Sequence, residues 1–174
     1  MPRMYIPDDD EGLEEFRGFD GRGWKCDTCG KVIEKAKDGW VQWLGSYLPK
    51  GVERGHSLQL VHHVTATPLS HERGVSRGCQ FSPDVVDVLD SRLPRFLGPD
   101  GLMLLLEMIE RERVEKREVL EMIKRLHIPG YDRVRNDFEA AINAGVFESN
   151  TTIGYHPQKT IQAVNEWVGE QEES

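Results

Sequence analysis

Only three cysteines occur among the 174 residues, an odd number that excludes a closed disulfide scaffold. No apolar run approaches the roughly 20 residues needed to span a bilayer, so no membrane contact is expected. The amino terminus, Met1-Pro2-Arg3 through Asp8-Asp9-Asp10-Glu11, is acidic and has no apolar segment of the signal-peptide kind. A cytoplasmic location is the expectation. Positive charge is scarce: 22 Lys+Arg stand against 30 Asp+Glu, a net charge of −8. That balance argues against a surface devoted to nucleic acid. A Walker loop, a G-x-G-x-x-G turn and a Ser/His/Asp set are all missing, and an enzyme is not expected.

What is present is a soluble, globular composition, 38% hydrophobic and 30% charged. The length suits one medium domain or two small ones, with enough chain to bury a core. Charge is unevenly placed. Residues 1–25 carry −3, residues 26–79 carry +2 and residues 80–174 carry −7. The stretch bounded by the cysteines is the only positive part, and a polyanion, if one is met, is met there.

The chain is expected to be α+β, a small zinc-stabilised β-hairpin and helix module followed by a mostly helical domain. Residues 1–23 read as an acidic, solvated arm punctuated by Gly12, Gly18, Gly21 and Gly23. Residues 24–97 read as the β-rich module. Trp40 to Leu44 favours a strand after the Asp38-Gly39 turn, and Ser57 to Val64 alternates, with Leu58, Leu60, His62 and Val64 on one face. Pro49-Lys50-Gly51 between them suggests a long hairpin. Residues 65–78 read as a loop. Ser82-Pro83-Asp84 has the chemistry of a helix start, with Val85, Val86, Leu89 and Leu93 as its stripe.

Residues 98–168 read as the helical domain. Leu102, Leu105, Leu106 and Ile109 mark one helix, and Val119, Leu120, Ile123 and Leu126 mark a second. Tyr131, Val134, Phe138, Ala141 and Ile142 mark a third, closed by Gly145. Val146-Phe147 and Thr151-Thr152-Ile153 suggest two short strands, and Ile161, Val164 and Trp167 a last helix. Residues 169–174 are expected to be disordered.

The strongest chemical signal is Cys26-Asp27-Thr28-Cys29-Gly30. Two thiolates separated by two residues can hold one zinc from a tight turn, and Gly30 supplies the backbone freedom such a turn needs. A thioredoxin-like dithiol would instead open a helix. Tetrahedral zinc wants four ligands. Cys26, Cys29 and Cys79 supply three, and the fourth is His62, His63 or His71. His62 is preferred because it shares the interior face of Leu58 and Leu60. Cys79, just before the expected helix, would gain from the positive end of its dipole. One structural Zn2+ would add folding energy on the order of 10 kcal/mol to a module with few large aliphatics. His56, His127 and His156 read as surface or capping residues, and Trp24, Trp40 and Trp43 as packing.

The order C-x-x-C, Leu60-Val61-His62-His63-Val64, then Gly78-Cys79 resembles the zinc-finger-like cores of treble-clef proteins and, more faintly, the HNH endonucleases. That second resemblance implies a metal ligand at His62 and a general base at His63. The family's Asn is missing from residues 64–78, its helical His is missing from 83–93, and Ser82 stands where a second C-x-x-C would end. The resemblance therefore implies a retained structural zinc without the catalytic set. Residues 98–168 resemble a winged-helix arrangement, with Tyr131 to Gly145 in the recognition position. That segment carries Arg133 and Arg135 but also Asp132, Asp137 and Glu139. A non-enzymatic, zinc-stabilised module that binds a protein partner or regulates one is the expected function. A winged-helix DNA-binding regulator and an HNH-like metal-dependent nuclease are the alternatives.

Overall fold

A computed structural model describes residues 11–45, 54–68, 78–82, 87–149 and 155–173. The chain is α+β, with two small antiparallel sheets and five helices among these residues. The first sheet is a hairpin of β1 (Trp24–Lys25) and β2 (Val32–Ile33), with Trp24 opposite Ile33. The second has the order β4-β3-β5, built from β3 (Gly39–Leu44), β4 (His56–His62) and β5 (Val88–Arg92).

The β3–β4 pair is the expected antiparallel pairing, with Gly39 opposite His62 and Val41 opposite Leu60. Its connecting residues 46–53 lie outside the described set. Val41 and its partner Leu60 are fully buried on one face and Val61 on the other, so both faces of this strand pair are covered.

Where a helix is expected from Pro83 to Leu93, the structure has strand β5. Residues 83–86 lie outside the described set, but Val88 to Arg92 pairs with β3, Leu89 opposite Trp43 and Arg92 opposite Trp40. The correction has a physical reason. Beside β3, a central strand already rich in Trp and Val, a backbone ladder and cross-strand packing were available to residues 88–92. A short 3-10 turn, Leu93–Phe96, follows, and buries Leu93 and Phe96.

Helix α1 (Gly98–Glu110) takes Pro99 in its first turn, where the missing N–H costs nothing, and Asp100 against the dipole. It begins four residues before its expected apolar stripe. Helix α2 (Lys116–His127) ends with Lys124, Arg125 and His127 in its last turn. The expected third helix is two. A turn after Val134 separates α3 (Tyr131–Val134) from α4 (Phe138–Asn143). Val146-Phe147 is a bend and not a strand, and Thr151 to Ile153 lies outside the described residues. Helix α5 (Gln158–Glu172) continues through most of the expected carboxyl-terminal tail.

Two apolar clusters result. The larger runs from Trp24 and Ile33 through Leu60, Phe96 and Leu105 to Met122 and Leu126, and so crosses the expected 97/98 boundary. Each fully buried aliphatic or aromatic side chain in it contributes about 1.5–3 kcal/mol. The smaller holds Tyr131, Val134, Phe138, Ala141, Ile161 and Val164. The expected solvated arm is docked where it is described. Leu13 and Phe16 pack against the larger cluster, and the Ala36 N–H donates to the Phe16 carbonyl at 2.9 Å. No described helix is long and apolar enough to cross a membrane.

Candidate metal centre

The β1–β2 hairpin bends around Cys26 to Cys29. The Cys26 N–H donates to the Lys31 carbonyl, and the Gly30 N–H returns to the Cys26 carbonyl, both at 2.9 Å. Closing so tight a loop requires a left-handed residue, and Gly30 has φ +72°. The nearby backbone N–H groups of Thr28 and Cys29 favour the charged form of Cys26, and that of Lys31 favours the charged form of Cys29. The loop thus surrounds both sulfurs with dipoles that favour negative charge.

His62 arrives from the last position of β4, 5% exposed. Cys79 arrives on a separate turn that the rest of the chain pins in place. Gln80 Oε1 accepts from the Val64 N–H and Gln42 Oε1 from the Phe81 N–H, each at 2.9 Å. The Thr28 hydroxyl donates to the Cys79 carbonyl at 2.7 Å. At Gly78 (φ +58°) a Cβ would meet Thr67 Cγ2 at 2.1 Å, so only glycine lets this turn approach. Among the described residues, bonds to side chains fix the turn that positions its sulfur, and residues 83–86, where the helix start is expected, lie outside them.

The ligand atoms of Cys26, Cys29, His62 and Cys79 all lie within 4.8 Å of one another. His62 Nδ1 is 3.5 Å from Cys29 Sγ and 3.9 Å from Cys79 Sγ. A tetrahedral zinc with Zn–S of about 2.3 Å and Zn–N of about 2.0 Å has edges of about 3.5–3.8 Å. The four residues could therefore hold one metal ion. Among the described residues no other group of three or more Cys, His, Asp or Glu converges in this way.

Electrostatics fit the same use. Burial opposes ionisation of Cys26, but hydrogen bonds from His62 and from the loop N–H groups outweigh it and bring its pKa down to about 6. Burial likewise opposes the imidazolium of His62, and the Cys26 sulfur overrides it, raising the pKa. Burial pushes Cys79 up to about 12. A hydrogen bond from Thr67 acts against that rise, and the neighbouring Cys26 charge adds to it. Cys29 is raised by burial too, with the Cys26 charge contributing. One thiolate is stabilised here and further ones are resisted, which is the behaviour of a buried pocket short of positive charge.

Of the expected fourth ligands that lie among the described residues, His62 joins the sulfurs and His63 does not. The His63 ring sits 4.9 Å from that of Trp40, with Nδ1 2.7 Å from the Thr65 hydroxyl. His71 lies outside the described residues. His127 is partly buried and donates from Nε2 to the Phe96 carbonyl, and His156 stacks on Phe138 at 3.8 Å. Trp24 is buried in the core, as expected of a packing residue.

Sequence reasoning missed the polar groups around the centre. Thr67 Oγ1 lies 2.9 Å from Cys79 Sγ. Asp27, inside the C-x-x-C, accepts from the Leu60 N–H and from Arg125 Nη1, both at 2.7 Å. One signal was available: Arg125 falls three residues after Met122 and beside Leu126, on the stripe that α2 buries.

No protein-family model, no curated protein and no solved structure matches this chain.

Proposed function

We propose that this protein is a non-enzymatic module built around one structural Zn2+, held by Cys26, Cys29, His62 and Cys79, and that its helical half is a contact surface for a protein partner. One observation carries the zinc reading: four soft or borderline ligand atoms, from three separate segments, lie within 4.8 Å of one another. Three thiolates and one imidazole favour zinc over hard cations. Cys26, His62 and Cys79 are buried and Cys29 is half-buried, which suits a closed structural site better than one with an open position for substrate.

Partner binding is supported by the outer face of α1. Met103 and Leu106, one turn apart, are 63% and 45% exposed, while Leu105 and Met108 on the opposite side are buried. A helix with apolar side chains facing both core and water is suited to a second surface. Asp100 and Glu110 at its two ends favour a partner with basic flanks. The arginines that a DNA-reading helix would offer are engaged elsewhere: Arg133 pairs with Glu172 at 2.6 Å and Arg135 with Asp27 at 3.0 Å.

The test is metal analysis of untagged protein purified without added metal. One zinc per chain is expected, and its removal by a chelator should unfold residues 24–92. Metal-free material with a full complement of native structure would overturn the zinc reading. Plasmid nicking with magnesium or manganese that disappears in His63→Ala would overturn the non-enzymatic one.

A further inference from the structure

Beyond holding the front of the chain together, the centre is wired to the back. Residues 25–27, which carry and flank the first cysteine, are gripped by α2, α3 and the turn that follows. The Arg125 side chain, 4% exposed, donates from Nη1 to Asp27 Oδ2 at 2.7 Å, from Nη2 to the Lys25 carbonyl at 2.8 Å and from Nε to Asp132 Oδ1. Asp132 Oδ2 accepts the Lys25 N–H at 2.6 Å. Arg135 Nη2 donates to Asp27 Oδ1 at 3.0 Å. Asp27 also binds β4, its N–H donating to the Leu60 carbonyl at 2.8 Å.

This seam is polar, and it lies where the two apolar clusters are separate. Helix α3 packs against both β1 and α5. Behind the seam, α5 is tied to the α2–α3 corner: Asn165 Nδ2 donates to the Gly130 carbonyl and Gln158 Nε2 to the Pro129 carbonyl, each at 2.9 Å. Helices α3 to α5 thus form a unit whose attachment to the front half includes ion pairs made by the cysteine loop itself.

We infer that metal occupancy and docking of α3–α5 are linked through Asp27 and Arg125, so that metal loading closes the helical unit onto the front half and the docked unit in turn tightens metal binding. The inference rests on the zinc reading above. Its physical basis is the cost of a buried charge that loses part of its pairing. A loop without its cation has crowded sulfurs and no reason to hold Lys25 and Asp27 in register. Once Asp27 shifts, Arg125 loses one of its two carboxylates in a place with little water and keeps only Asp132, so opening the corner to hydrate the freed N–H groups becomes favourable. Linkage is reciprocal, so whatever factor metal adds to docking, docking adds to metal affinity.

The experiment uses the full chain. Zinc affinity is measured by competition with a chromophoric chelator for wild type, Asp27→Asn and Arg125→Met, and hydrogen exchange of residues 131–134 and 158–172 is followed with and without zinc. Wild type should bind one zinc, and zinc removal should speed exchange in both segments. Both variants should keep one zinc per chain with affinity lowered roughly 5- to 150-fold, the usual range for coupled sites. Their helical segments should exchange fast even when loaded. Should Arg125→Met fail to fold, Arg135→Gln, which removes a more exposed contact to the same carboxylate, should show a smaller drop of the same kind. Unchanged affinity in the folded variants, or equal protection of α3–α5 in loaded and stripped wild type, would overturn the linkage while leaving the zinc reading intact. No zinc binding by wild type would instead sink the reading beneath it.

Discussion

The Nε2 of His62 lies 3.1 Å from the carbonyl oxygen of Val32 and donates to it, tying the end of β4 to β2. This contact selects the tautomer. When the ring is neutral its proton stays on Nε2, and the Nδ1 lone pair is left facing Cys29 and Cys79, as a metal-binding imidazole requires. The next histidine in the chain, His63, instead meets the Thr65 hydroxyl with its Nδ1 at 2.7 Å and faces Trp40. His62 is the last residue of β4 and His63 the first beyond it, and the alternation of extended chain across this step separates a candidate ligand from a ring beside Trp40.

Substitution should therefore distinguish the two. His62→Ala is expected to lose most bound zinc and to unfold at a markedly lower temperature. His63→Ala should retain one zinc per chain and near wild-type stability. Metal content by mass spectrometry with thermal unfolding reads both, and zinc retained in His62→Ala would refute the assignment.

Thr67 offers a finer test. Its hydroxyl is 2.9 Å from the Cys79 sulfur in a buried setting. Groups that touch a ligand but not the metal commonly change affinity by 10–100-fold when removed. Thr67→Val, close in shape, should lower zinc affinity by about 10-fold in chelator competition without changing the stoichiometry. An affinity equal to wild type would show that the contact does not tune the sulfur.

A position on α1 that shares the apolar cluster of the centre without touching its ligand set should lose stability and not metal. Leu105 is fully buried on the inner side of α1. Leu105→Ala should cost about 2–5 kcal/mol in urea unfolding, from lost transfer energy plus a residual cavity. Zinc stoichiometry should stay at one per chain, and a coincident loss of metal from the folded variant would contradict that independence.

The outer side of α1 should show the reverse. The double substitution Met103→Glu with Leu106→Glu touches only exposed side chains, so stability should change by no more than about 0.5 kcal/mol per site. Co-purification with a stoichiometric partner from the native cell should be lost. A partner retained at full yield would place the contact surface elsewhere.

Acid should weaken the fold partly through His127. Its burial lowers the pKa below the ordinary 6.5, against a hydrogen bond to the Phe96 carbonyl that favours the charged form. The unfolded chain then takes up this proton first as pH falls. The contribution is complete above pH 6.5 and is lost as pH falls below it. His127→Gln should show a shallower decline than wild type when urea unfolding of the zinc-loaded proteins is compared across that window. Identical slopes would exclude this histidine as a source.

Local chemistry in the chain was enough to mark the C-x-x-C turn, strands at Trp40–Leu44 and Ser57–Val64, the helices α1 and α2 with part of their stripes (Leu105, Val119 and Leu126 are buried, but Leu106 and Leu120 are exposed), and three thiols with a short choice of histidines. These features depend on residues a few positions apart, where side-chain periodicity and turn geometry act directly. Tertiary structure decided what depends on distant partners. Residues 88–92 became a strand because β3 had an edge to pair, despite a helix-starting sequence before them. Cys79 reached the paired sulfurs through bonds to Gln42, Val64 and Thr28, none of them near it in sequence. Arg125 became a buried tie to Asp27, 98 positions away, because only packing of α2 against β4 removes its charge from water and makes a distant carboxylate necessary.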